Sequence, residues 1–211
     1  SGMLRTGVSN SRILEEISDC DIVGMTSIFS HQETMVLETA KLIKDNFPEK
    51  LLISGGVNAR NRIEEFFNAG FDVICLSEAE KTIVNICRLF ENGVRDFSSI
   101  PKVVFRHKGN SVYSRAHGDI IWDLDELPLP AWSILPNERY WSIGRPHGGH
   151  FEEGEELKYI SMVTSLGCPF ACSFCHIAGE LKGSMSGPTG RFRIKSDERV
   201  IQELEILKDL G

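Results

Sequence analysis

The sequence predicts an α/β fold, on three observations: short apolar runs recur at 22–27, 51–54 and 71–76, segments of helical periodicity separate them, and another strand-like run begins at 159. Helices alternating with short apolar strands imply a parallel sheet. Ile22 to Ser27 reads as the first strand. Ser30 and Glu33 have the spacing of a capping box, ahead of a helix with Val36, Ala40, Ile43 and Phe47 on one face. Leu51 to Ser54 is the second strand, ending in Gly55-Gly56, and Ile63, Phe66 and Phe67 mark a helix closed by Gly70. Phe71 to Leu76 is the third strand, followed by a helix through Ile83, Ile86, Cys87 and Phe90 that stops at Gly93. Val103 to Arg106 and Ser111 to Ser114, joined around Gly109-Asn110, read as a hairpin. A proline-rich linker follows, with Asp123-Leu124-Asp125-Glu126-Leu127-Pro128-Leu129-Pro130-Ala131-Trp132 at its centre. Tyr159 to Ser165 reads as a buried strand, and the last helix has Ser196 as cap and Val200, Leu204 and Leu207 as its apolar face.

Composition narrows the function classes. At 211 residues one or two domains are expected, with apolar content ample for a core. A net charge of −7 argues against nucleic acid as a partner, because polyanion binding depends on clustered Lys and Arg. No apolar run approaches a membrane span, and the start lacks signal-peptide character. The expected setting is a reducing cytoplasm, with Cys20, Cys75 and Cys87 as small core residues rather than disulfide partners.

Ligands of parallel α/β sheets bind beyond the carboxyl ends of the strands, so Thr26, Ser27, Gly55, Gly56 and Ser77 to Glu80 are candidate contacts. A glycine pair there also serves as a plain tight turn. The most informative run is Ser165-Leu166-Gly167-Cys168-Pro169-Phe170-Ala171-Cys172-Ser173-Phe174-Cys175. Three thiolates on one loop can each bind one iron of a cubane and leave its fourth iron open to another ligand. The alternatives are a structural or zinc role. Zinc ribbons want a second cysteine pair, and His176 adjoins Cys175 without the usual ligand spacing. His147 and His150 form an HxxH pattern in a glycine-rich stretch, read as solvated loop, and His31 lies in the turn after the first strand. Arg191 and Arg193 precede the last helix as candidate anion binders or an exposed strand pair.

The CxxxCxxC run, with Phe174 before its third cysteine, resembles the cluster loop of radical S-adenosylmethionine enzymes. That resemblance implies a four-iron four-sulfur cluster on Cys168, Cys172 and Cys175. It implies S-adenosylmethionine on the open iron with Phe174 on its adenine side, and a 5'-deoxyadenosyl radical formed on reduction. The strand-GG-helix unit, the later Ser77-Glu78-Ala79-Glu80-Lys81-Thr82 and the proline-rich segment resemble the subset that also binds cobalamin. Its usual GEGE form is altered by Ser77 and Ala79, and its residue before the loop glycine, often arginine, is Leu166. The cobalamin contacts implied are Thr26, Ser27, Gly55, Gly56, Ser77, Glu78 and Glu80.

The expected organisation is therefore a partial Rossmann-like, flavodoxin-like parallel sheet at 1–94, a hairpin and linker at 95–156, and the first β/α unit of a truncated (β/α) barrel at 157–211. Such a sheet normally has further strands before its Ile22 equivalent, so the chain reads as an internal fragment, inactive alone, whose opening Ser-Gly-Met is a cloning remnant. The resemblance implies that the parent methylates an unactivated carbon or phosphorus centre of a small molecule, with a reductase or flavodoxin-type electron donor. Alternatives are a radical oxidative cyclase or rearrangement enzyme of the same architecture, and a non-catalytic iron-sulfur or corrinoid module. The catalytic residues and the substrate are not readable from the sequence.

Overall fold

A computed structural model describes residues 7–116, 120–143, 158–177 and 190–211. These residues form two compact units, which divide between Ile120 and Ile121.

The first unit is built on a sheet ordered β1-β2-β3-β4-β5. Strands β1 (Ile22–Thr26), β2 (Leu51–Gly55) and β3 (Val73–Cys75) run parallel, with Ile22 opposite Leu51 and Ile53 opposite Val73. Strand β1 lies at one side. The hairpin of β4 (Val103–His107) and β5 (Asn110–Tyr113) does not stand apart from the sheet. It extends the sheet, with β4 pairing antiparallel to β3. Its turn is Lys108-Gly109, one residue earlier than the sequence suggested, and both residues have positive φ (50° and 81°). That is the type I′ geometry whose twist matches the flanking strands.

Alternation along the strands divides the core between two faces. Leu52, Ile74 and Val104 face one cluster, with Ala40 and Ile43 of helix α2 (Glu33–Asn46), Phe66 and Phe67 of α4 (Ile63–Asn68), and Phe71. Leu51, Ile53, Val73, Cys75, Val103 and Phe105 face the other, with Ile86 of α5 (Glu80–Glu91), Phe97 and Ile100. Burial on both faces explains why β2 reads as an unbroken apolar run.

Several local expectations are corrected. Ser30 and Glu33 make no capping box: Ser30–Gln32 form a 3-10 turn, and α2 begins at Glu33 without a side-chain cap. The segment after Gly56 is two short helices, α3 (Val57–Asn61) and α4. Gly70 closes α4 with φ +106°, and a Cβ there would meet the Lys44 side chain. Cys20 is exposed rather than a core residue, whereas Cys75 is buried. A seven-residue helix α1 (Asn10–Glu16) precedes the sheet.

In the second unit, the stretch read as linker contains a helix, α6 (Asn137–Ile143). The expected strand from Tyr159 shortens to β6 (Ser165–Leu166), which pairs antiparallel with β7 (Arg193–Ile194) before α7 (Asp197–Asp209). A strand needs a partner to satisfy its backbone, and β7 offers only two residues of register.

Replacing Phe66, which is fully buried, by Ala should cost about 3–5 kcal/mol. Ile83→Ala on the exposed side of α5 should change stability by less than about 1 kcal/mol. Urea unfolding monitored by circular dichroism checks both, and equal losses would show that the helix faces are misassigned.

Candidate functional site

The carboxyl ends of β1 and β2 meet at a backbone crossing. Ser27 follows β1 and is wholly buried. Its N–H donates to the Gly55 carbonyl (2.9 Å), and its own carbonyl accepts from the N–H groups of Asn58 (3.1 Å) and Ala59 (3.4 Å). The side-chain amide of Asn58, itself buried, donates to the Ser27 hydroxyl at 3.0 Å. Gly56 has φ +96°, and a Cβ there would lie 2.5 Å from the Ser27 carbonyl oxygen. Only glycine fits. The glycine pair thus has a structural reason of its own, and the Ser27 hydroxyl is engaged by Asn58, a residue that sequence reasoning missed.

The other candidates line the same ends of the strands. Thr26 is exposed, Gly55 is half-buried, Ser77 and Glu78 are half-buried, and Glu80 is the exposed first residue of α5. Beside the crossing, Ile28 and Phe29 are about half exposed, and Phe29 stacks on His31 with ring centroids 5.5 Å apart. Burial pushes the Cys75 thiol at the end of β3 up to about 12, so it stays protonated and unreactive.

In the second unit the cysteine loop leaves β6 through Gly167. Here φ is +78°, and a Cβ would come within 2.1 Å of the Arg191 carbonyl oxygen. The Cys168 N–H donates to the Gly190 carbonyl (3.1 Å) and the Cys175 N–H to that of Cys172 (3.0 Å), closing a turn. All three cysteines are free thiols; Cys172 is exposed and the other two are half-buried. Phe174 projects almost fully into solvent, 91% exposed, and Phe170 is 69% exposed. Among the described residues no three His, Cys, Asp or Glu side chains converge as they would on one metal ion. Three thiolates that each take a different iron need no such convergence, and a soft all-sulfur donor set fits an iron-sulfur cluster. His176 is exposed, and His147 and His150 lie outside the described residues.

Strand β7 carries a buried cation. Arg193 is buried and donates to the Ile121 carbonyl, so it is no exposed strand pair with Arg191, which lies over the Trp122 ring. The apolar face expected for α7 is also revised: Leu204 is 46% exposed, and the residue wholly buried is Glu203. Its carboxylate accepts from Lys195 Nζ at 2.7 Å on both oxygens and from Arg199 Nε at 3.1 Å. Ser196 caps α7 as expected, its hydroxyl accepting from the Arg199 N–H. The Ser196 N–H in turn donates to Asp125 Oδ1 (3.0 Å), and Arg199 Nη2 to the Leu127 carbonyl (2.7 Å), stapling the linker to the start of the helix.

No protein-family model matches the chain. It is 30% identical over 194 residues to an uncharacterized methyltransferase, PH0819, of Pyrococcus horikoshii, covering 90% of this chain and 37% of that protein. It is 26% identical to the anaerobic magnesium-protoporphyrin IX monomethyl ester cyclase of Cereibacter sphaeroides, covering 95% of this chain and 30% of that protein. Its fold matches the cobalamin-dependent S-adenosylmethionine radical enzyme OxsB, solved with aqua-cobalamin and S-adenosylmethionine, with TM-score 0.69 and 19% identity over 94% of this chain and 25% of that one. The chain is thus similar in sequence to part of a methyltransferase and of a cyclase, and in fold to part of OxsB. It spans 37% and 30% of the length of these two relatives. Among the described residues no helix is long and apolar enough to cross a membrane.

Hydrogen bonds from Ser196 hold the Asp125 carboxyl below the usual carboxylate range. A depressed folded value means that the staple's contribution is complete above the ordinary pKa of about 3.9 and is lost as pH falls through the lower folded value. Nuclear magnetic resonance titration should place Asp125 below the ordinary value, and Asp125→Asn should remove that acid-side dependence of stability. An Asp125 titrating at or above the ordinary value would show that the staple is not formed in solution.

Proposed function

We propose that the whole protein is a cobalamin-dependent radical S-adenosylmethionine enzyme that transfers a methyl group to an unactivated carbon or phosphorus centre of a small molecule. In this reading 1–94 is the end of its corrinoid-binding domain, with a partial flavodoxin-like sheet. Residues 95–156 form the hairpin and linker, and 157–211 the first β/α unit of its barrel. The observation that carries it is the loop of three free thiols leaving β6 through a glycine that nothing larger can replace. The methyltransferase relative and the fold likeness to OxsB support it.

When bound, the cluster, S-adenosylmethionine and corrinoid supply the radical chemistry and the methyl group. The chain's own residues hold and orient. Cys168, Cys172 and Cys175 bind three irons, and Phe174, exposed beside them, covers the adenine. At the strand ends Thr26, Gly55, Gly56, Ser77, Glu78 and Glu80 face the corrinoid. Ser27, whose hydroxyl is engaged by Asn58, contributes by shaping the crossing rather than by donating to the ligand. A cytoplasmic setting and a reductase or flavodoxin-type donor suit a cluster that needs a low-potential electron. The cyclase relative favours a second reading, in which the same parts serve a radical oxidative ring closure.

Anaerobic reconstitution with iron and sulfide should load roughly four irons per chain. Alanine at Cys168, Cys172 or Cys175 should abolish loading, while alanine at Cys20 or Cys87 should not. Unchanged iron in all three loop variants would overturn the assignment. With the full-length protein, methyl label from S-adenosylmethionine appearing in product supports methyl transfer; 5'-deoxyadenosine with ring closure and no label in product supports the cyclase.

A further inference from the structure

The geometry points to Glu203 as a positioning residue for the three-cysteine loop, acting through Lys195 and β7. This rests on the reading of Cys168, Cys172 and Cys175 as cluster ligands. Between Val200, Leu204 and Leu207, the helix pattern invites an apolar residue at the buried position, yet the chain places a carboxylate there with no exposed surface. A buried charge is tolerated only when paired and hydrogen-bonded. Glu203 has both kinds of support: Lys195, whose side chain is 7% exposed, on both oxygens, and Arg199 on one.

Those partners lead to the loop. Lys195 directly follows β7, and its N–H donates to the Thr164 carbonyl (3.0 Å), just before β6. Among the described residues β7 is the one strand paired with β6, matching Ser165 to Ile194 and Leu166 to Arg193. Just ahead of β7, the Gly190 carbonyl receives the Cys168 N–H, and the Arg191 carbonyl closes over Gly167. A ladder of two residue pairs is too short to keep its own register. The Glu203 carboxylate ties one end of β7 to a helix of thirteen residues, and the segment leading into the other end receives the N–H of the first cysteine at Gly190. Arg199, held by the same carboxylate, also grips the Leu127 carbonyl, so the linker is fixed by the same group. An apolar residue could fill the space, but it could not direct the Lys195 side chain, and with it the strand, to one position.

The test compares the wild-type chain, Glu203→Gln, the paired Lys195→Met and Glu203→Leu variant, and the exposed control Glu205→Gln. Each is reconstituted anaerobically with ferrous iron and sulfide. Iron per chain, the electron paramagnetic resonance spectrum of the dithionite-reduced cluster and far-ultraviolet circular dichroism are measured. The expected result is a wild-type dichroism spectrum for Glu203→Gln with iron loading reduced at least twofold and an altered resonance line shape, and no change for Glu205→Gln. Wild-type loading and line shape in Glu203→Gln overturn the proposal. Should Glu203→Gln fail to fold, the paired variant decides. The Lys195 and Glu203 charges are replaced by apolar groups while Arg199 keeps its bond to the Leu127 carbonyl, so reduced loading in a folded protein supports positioning, and wild-type loading with a wild-type spectrum shows that the site needs only filled volume. A wild-type chain that takes up no iron removes the cluster reading and this inference together, whereas normal loading in every variant removes this inference alone.

Discussion

At two strand exits the backbone comes so close to a carbonyl that a Cβ cannot be accommodated, and both candidate sites begin there. Gly56 faces the Ser27 carbonyl at the end of β2, and Gly167 faces the Arg191 carbonyl at the end of β6. In each case φ is positive, so the chain turns off its strand in a direction that L side chains rarely take. The close approach has a second effect: the opposed segment becomes a hydrogen-bonding template. Ser27 receives the N–H groups of Asn58 and Ala59 in α3, and the segment before β7 receives the Cys168 N–H. The loop geometry is therefore set by backbone contacts before any side chain on the loop is considered.

The two sites differ in what remains free once the frame is built. At the first, the Ser27 hydroxyl, the Ser54 hydroxyl and the Asn58 amide are joined to one another or to the Met25 carbonyl, stiffening the crossing. A ligand there would meet the exposed Thr26, the glycine backbone and the apolar surface of Ile28 and Phe29. At the second site Cys172 and two aromatic rings are exposed, Cys168 and Cys175 are half-buried, and the strand behind them is paired to β7. Function-bearing loops on rigid frames follow this division of labour.

What the sequence made legible was local. The strands β1, β2 and β3, the turn glycines, the Ser196 cap and the cysteine loop each carry their signal within a few neighbouring residues. The hairpin's docking on β3 joins residues about thirty positions apart, and nothing in Val103 to Ser114 itself names the strand it will pair with. The Ser30 capping box failed for a related reason. The 3-10 turn beginning at Ser30 delays the helix, so neither Ser30 nor Gln32 caps α2 with its side chain. Glu203 was hidden because periodicity treats a charged residue as a marker of the solvent face. Its partners Lys195 and Arg199, eight and four positions earlier, were the available signal, since only a carboxylate with two cations in reach can be buried at this cost.

That cost bears on why a carboxylate stands at this position at all. Replacing a buried ion pair by well-packed apolar residues is often neutral or stabilising, so stability alone does not explain Glu203. Direction does. A carboxylate with fixed oxygens accepts only along its lone pairs, and a bidentate contact with one ammonium plus a third bond from a guanidinium leaves the three side chains a single arrangement. A methyl-lined core would permit β7 to slide against α7 with little penalty, because dispersion contacts are weakly directional. For most two-residue ladders such sliding would be harmless. Here the partner strand runs straight into Gly167, where the Arg191 carbonyl leaves no room for a Cβ, and the first cysteine is the next residue. The polar cluster is thus best understood as a constraint on register, placed on the one strand whose register decides where the cysteine loop starts.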